Sequence, residues 1–163
     1  MQPTELLYLF GGGHVGRALV KALSGTRFEV HILDDRPAWL DERTDGLPHG
    51  TVRHCLPWEE AVDLLPLERA EHLYVAIMTY SHAIDDRLLR AVLGKPMVYL
   101  GMIGSRTKWK IFSRELLADG FTQSLIESVH CPIGLPIGGK RPAEIALSVA
   151  AELLDVARAR HKG

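Results

Sequence analysis

Short apolar runs alternate along the chain with segments of helical periodicity, and glycine or polar turns stand between them. The runs predict strands over residues 6–10, 28–33, 74–79 and 97–102, with a weaker one over 51–54. Between them the 3.6-residue pattern predicts helices over 15–23, 59–65, 82–93 and 107–118, and a last helix from 142 to about 160 that opens on a proline. Strands that alternate with helices are the signature of a parallel sheet covered on both faces. The expected fold is therefore α/β: a Rossmann-like, doubly wound, mostly parallel sheet of five or more strands, in the common order 3-2-1-4-5. Residues 120–141 carry no clear pattern, and a stretch of that length is usually a functional loop or a missed element.

Composition narrows the class. At 163 residues with 47% hydrophobic content, the chain suits one domain with a real core, so residues 1–163 are expected to form a single Rossmann-like unit. A formal net charge of -1 gives no overall field to hold nucleic acid or an anionic membrane, so any anion site must be local. The longest apolar runs fall far short of the ~20 residues needed to cross a bilayer, and the N-terminus has no basic stretch of a secretory signal. A cytoplasmic location is expected. Cys55 and Cys131 are too far apart for a CxxC pair, so both read as reduced thiols.

The chemistry begins after the first strand, where Gly11-Gly12-Gly13-His14-Val15-Gly16 fits G-x-G-x-x-G. Gly11 permits the tight turn, Gly13 lets the backbone approach a phosphate, and Gly16 lets the helix pack on the strand while its free N–H groups face the anion. Asp34, about 20 residues on at the end of the second strand, stands where a ribose hydroxyl is usually read, although neighbouring Arg36 could instead accommodate an extra phosphate. In the expected strand order, Met78-Thr79-Tyr80-Ser81-His82 with Asp85, and Gly101-Met102-Ile103-Gly104-Ser105 with Arg106, Lys108 and Lys110, converge on the same edge of the sheet. Ser105 also fits an N-cap, and the basic residues fit a solvated helix face. His14, His82 and His130 lack i, i+4 partners of metal-ligand type and read as hydrogen-bonding groups. Cys131 reads as a buried, inert cysteine, with an activated thiol as the alternative. Residues 134–140 mimic a Walker A loop, but Arg141 stands where a Ser or Thr must bind magnesium, and no strand precedes them.

These motifs together resemble the C-terminal Rossmann domain of the XdhC/CoxI family, accessory proteins that mature molybdenum hydroxylases such as xanthine dehydrogenase. The resemblance is carried by residues 10–16, Asp34-Asp35-Arg36, Met78-Thr79-Tyr80-Ser81-His82 with Asp85, residues 101–108, His130-Cys131-Pro132-Ile133-Gly134-Leu135 with Ile137-Gly138, and Pro142-Ala143-Glu144-Ile145-Ala146 with Glu152. It implies a cofactor-carrying chaperone and not an enzyme, one that protects molybdenum cofactor (molybdopterin) during sulfuration and insertion. Implied partners are an apo molybdenum hydroxylase and a cysteine desulfurase; a homodimer is left open. The implied cofactor-binding residues are Gly11, Gly13, His14, Val15, Gly16, Asp34, Thr79, His82, Gly104, Ser105, Lys108 and His130, with no catalytic or metal-ligating residue. Two positions depart from the family pattern: Tyr80 stands for a usual His, and Arg141 for the Thr that would cap the last helix. Family members usually carry an N-terminal domain with a cysteine implicated in cofactor handling, which this chain is expected to lack. The glycine turn with Asp34 leaves two other readings open, an NAD(P)-binding oxidoreductase and a nucleotide-sensing regulatory domain.

Overall fold

The computed structural model describes residues 3–41 and 46–161. Its strands are β1 (Glu5–Phe10), β2 (Phe28–Asp34), β3 (Val52–Cys55), β4 (Leu73–Ile77) and β5 (Tyr99–Met102). Its helices are α1 (His14–Ala22), α2 (Trp58–Val62), α3 (His82–Val92), α4 (Arg106–Ala118), α5 (Gln123–Glu127) and α6 (Pro142–Arg160). The strands form one sheet in the order β3-β2-β1-β4-β5, parallel at every pairing. The Rossmann-like order and class expected from the sequence are both present.

β1 is buried along its whole length, as a central strand covered on two faces must be. Its alternation splits the core. Leu6, Tyr8 and Phe10 point to the face covered by α2, α3, α4 and α5, whereas Leu7 and Leu9 point to the face covered by α1 and α6. Glu5, the strand's polar member, is wholly buried, and its Oε1 lies 2.6 Å from Nε2 of His161 and 3.5 Å from Nη1 of Arg160. That ion pairing ties the end of α6 to the start of β1. No helix among the described residues is long and apolar enough to cross a membrane.

Three boundaries differ from the sequence reading by two or more residues. β4 ends at Ile77, two residues before the end expected at Thr79, because the Thr79 N–H turns to the Asp85 carboxylate at 2.9 Å. β5 begins at Tyr99 and not at Met97. α2 ends at Val62 and not at Leu65, since the N–H groups of Leu64 and Leu65 bond three residues back, to Ala61 and Val62, and tighten the last turn. The unassigned stretch 120–141 holds α5, five residues long, and a bridge in which His130 pairs parallel with Gly101. Residues near 130 thereby extend the β5 edge, with the His130 N–H 2.9 Å from the Leu100 carbonyl.

Candidate ligand-binding cleft at the carboxyl edge

The glycine turn leaves β1 at Gly11, whose φ of +125° is closed to residues with a side chain. A Cβ there would sit 2.1 Å from the Met78 carbonyl oxygen, and one at Gly16 would sit 2.1 Å from the Gly11 carbonyl oxygen. Both glycines are thus required by the protein's own backbone. Gly13 is different. Its φ of -75° suits any residue, and a Cβ there would meet nothing nearer than Nη2 of Arg36 at 3.9 Å. The space before Gly13 is a cradle that a side chain would fill. Gly13 caps α1 without a side-chain bond and the first turn carries no acid, so nothing on that helix answers the first-turn N–H groups. His14 is exposed and meets Trp39 edge-on at 5.1 Å, while Val15 packs toward the α1 and α6 core.

Asp34 lies under this turn, fully buried and fully employed. Its Oδ1 accepts the N–H of Arg36 and the Nε of the same residue, each at 2.9 Å, and its Oδ2 accepts Arg36 Nη2 at 2.9 Å and the Gly12 N–H at 2.7 Å. Burial by itself would raise the Asp34 pKa, but the Arg36 and Gly12 donors outweigh it and hold the carboxyl below its ordinary value. The Arg36 guanidinium is stacked in turn, 4.7 Å from the Trp39 ring centre and 4.1 Å from that of Tyr80. The Tyr80 hydroxyl donates to the Asp35 carboxylate at 3.0 Å, so the position where the family pattern has His is used here to hold this lid of side chains. Arg36 thereby covers the acceptor that a ribose would need.

A second group of the expected residues surrounds a cavity of about 430 Å³ between α3 and α4. His82 opens α3 and Lys108 stands in the first turn of α4; Nζ of Lys108 is 3.0 Å from Nε2 of His82 at the exposed rim. Gly104 lines the wall, and Ser105 caps α4 by accepting the Lys108 N–H at 3.1 Å. Thr79 orients the floor, its hydroxyl donating to Oδ1 of Asp85 at 2.6 Å. Asp85 is buried, and burial pushes its pKa up although the Thr79 bonds pull the other way. The Cys131 thiol lines the same cavity and is pushed up to about 12, by burial first and by the Asp85 charge second. Such a thiol stays protonated at neutral pH, as an inert cysteine would.

His130 stands apart from the residues lining this cavity. Its ring stacks on Tyr99 at 4.4 Å, and its Nδ1 lies 3.5 Å from Oε1 of Glu152, which also accepts the Tyr99 hydroxyl and the Gly134 N–H at 3.2 Å. Glu152 is held below its ordinary pKa because donors from His130, Tyr99 and Gly134 outweigh its burial. The motif around His130 therefore anchors residues 130–134 to α6. Missing from the sequence-derived set are Arg36, Asp85 and the aromatic wall of Trp109 and Phe112. Asp85 was visible as part of a motif, but nothing in spacing shows a carboxyl to be buried; Trp109 and Phe112 are three apart on α4, a signal shared with any core-facing helix. Among the described residues, no group of three or more His, Cys, Asp or Glu could hold a metal ion.

Comparison with known proteins agrees with this architecture. The family model for the XdhC Rossmann domain matches residues 7–153. The Escherichia coli (strain K12) protein YqeB, described as uncharacterized, is 31% identical over 150 residues, which cover 92% of this chain and 27% of that protein. A Bacillus subtilis (strain 168) protein, named as a probable subunit of xanthine dehydrogenase, is 27% identical over 155 residues, 95% of this chain and 44% of its own length. The crystal structure of a Bacillus halodurans xanthine dehydrogenase matches with a TM-score of 0.80 at 26% identity, over 97% of this chain and 44% of that one. The chain thus spans less than half the length of each of these relatives. With its matched span running from the first strand into the last helix, this chain belongs to the XdhC Rossmann domain family.

Proposed function

We propose that this chain acts as an accessory factor in the maturation of a molybdenum hydroxylase of the xanthine dehydrogenase type, with molybdenum cofactor as its cargo. Family membership and the relatives named for xanthine dehydrogenase support the accessory role. The observation that carries the cargo reading is the state of Asp34. All four of its hydrogen bonds come from Arg36 and Gly12, which leaves no free acceptor for the ribose of a dinucleotide. A phosphate-bearing ligand without that ribose requirement still has the cradle before Gly13 and the N–H groups of the first turn of α1.

The residues present suit such a ligand. The first turn of α1 binds the phosphate, Lys108 brings positive charge to the rim of the neighbouring cavity, and Trp109 and Phe112 supply flat apolar surface for a ring. The bound cofactor would carry the redox-active metal, and this chain would shield it from water until transfer to the apo-enzyme. A cysteine desulfurase would act on the cargo while it is held. Purification from a host that makes the cofactor, followed by oxidation and pterin fluorescence, tests the reading: an oxidised pterin at near-stoichiometric occupancy is expected, together with activation of an apo-hydroxylase. No pterin and no activation would sink it. In that event calorimetry with NAD, NADPH and ATP decides whether a nucleotide is the ligand.

A further inference from the structure

Asp85 uses only part of its hydrogen-bonding capacity although it is 3% exposed. Both bonds from Thr79, at 2.9 Å from the backbone and 2.6 Å from the hydroxyl, go to Oδ1. No other donor among the described residues reaches the carboxyl, and Asp85 lines the cavity between α3 and α4. Its other oxygen opens on the cavity, so a ligand that fills the cavity without bringing a donor would strand that acceptor away from water, at a cost. The surroundings define that donor. Trp109 and Phe112 stand on one wall with ring centres 5.9 Å apart, Met102 and Ile103 supply further apolar lining, and the Lys108 ammonium lies at the rim, 3.0 Å from His82 Nε2. A volume near 430 Å³ falls within the range of small-molecule sites.

A flat ring fits this environment if it presents N–H donors at its inner edge and an anionic substituent at its outer one. We infer that the cavity is a recognition pocket for the 2-amino-pyrimidin-4-one edge of a pterin or guanine ring, with Asp85 as the acceptor that reads its N–H groups. The pairing is the familiar one between a carboxyl and adjacent N–H donors, and it discriminates because a ring without those donors leaves the buried oxygen unanswered. The inference deepens the cargo reading above and rests on it for the identity of the natural ligand.

The test titrates the full chain with pterin-6-carboxylate, with guanosine 5′-monophosphate, and with 2-naphthoate, a flat anion that lacks the N–H edge. Pterin-6-carboxylate should bind, and Asp85→Asn, which keeps an oxygen for Thr79 but turns a donor toward the ring, should weaken it by about tenfold or more. The same change should leave 2-naphthoate within about twofold of its own affinity, because no N–H contact is lost. Guanosine monophosphate binding with the same dependence on Asp85 would support the pocket and name guanine as the source. A second variant reads the opposite wall: Trp109→Ala, which removes the flat surface but no acceptor, should weaken pterin-6-carboxylate and 2-naphthoate alike. Failure of all probes to bind at millimolar concentration, unchanged pterin affinity in a folded Asp85→Asn protein, or unchanged affinity for both rings in a folded Trp109→Ala protein would overturn the assignment. If cofactor co-purifies and transfers while Asp85→Asn binds normally, the accessory role stands and the pocket falls; Asp85-dependent pterin binding in a protein that never carries cofactor gives the reverse.

Discussion

Asp34 and Asp85 stand at the ends of neighbouring routes out of the sheet, yet their surroundings push their acidities apart. Asp34 is held ionised by Arg36 and Gly12, so its folded pKa lies below the unfolded one, and its contribution to stability is present at neutral pH and lost as pH falls through the folded value. Replacing Arg36 with Ala would keep the backbone N–H bond but leave a buried carboxylate short of two side-chain donors, and should cost on the order of 2–3 kcal/mol at neutral pH, seen as a lower denaturant midpoint. The same variant exposes an acceptor to a ribose; NAD or ADP-ribose should then bind measurably by calorimetry, and more tightly than to the native protein. Equal binding by both proteins would refute the covering role of Arg36.

Asp85 has the opposite sign. Its folded pKa is raised, so the group favours the folded state at low pH and penalises it once pH rises through the folded value. Asp85→Asn should therefore melt higher than the native protein at neutral pH, with the difference vanishing toward about pH 4 where an ordinary aspartate is protonated. A lower melting temperature at neutral pH would contradict this. Spacing led to the expectation that Asp34 would read a ribose, and the structure engages it with Arg36 and Gly12; a side chain that folds back from position i+2 leaves no trace in motif spacing. Burial of Asp85 was equally invisible, since it depends on what Met102, Trp109 and Cys131 bring from elements far along the chain.

Among elements, the glycine turn separates two kinds of glycine that the motif treats alike. Gly16→Ala would drive a Cβ against the Gly11 carbonyl and should destabilise the protein by at least about 1–3 kcal/mol, as overpacking does. Gly13→Ala has neither strain nor clash and should stay within about 0.5 kcal/mol of the native stability, yet lose most cofactor retained through purification. A Gly13→Ala protein that retains its cargo would show that the cradle is not used. α6 works differently, as the support for the segment that periodicity could not read. Glu152 gathers His130, Tyr99 and Gly134, so Glu152→Ala should speed hydrogen exchange over residues 128–135 and leave β1 and β4 protected. That segment escaped the sequence because a helix of five residues is shorter than two turns and a single bridge pair has no alternation to recognise.

At the scale of the molecule, strand order was readable because the apolar runs, the crossover helices and the glycine turn constrain one another, and few topologies satisfy all three. The relation between turn and cavity was not, since it depends on one short connection. Met78, the first residue after β4, presses its carbonyl against Gly11 on one side, and Thr79, the next, holds Asp85 on the other. Consecutive Cα atoms are separated by a fixed ~3.8 Å, so no repacking of side chains can alter the interval between these two footholds. If the proposed cargo is bound as inferred above, the connection would act as a gauge block: covalent geometry would set the span between phosphate cradle and ring pocket, and a ligand would be measured by length as well as by chemistry. Inserting one glycine between Met78 and Thr79 should therefore uncouple the two halves of recognition, leaving each able to bind its own fragment while the intact cargo is released.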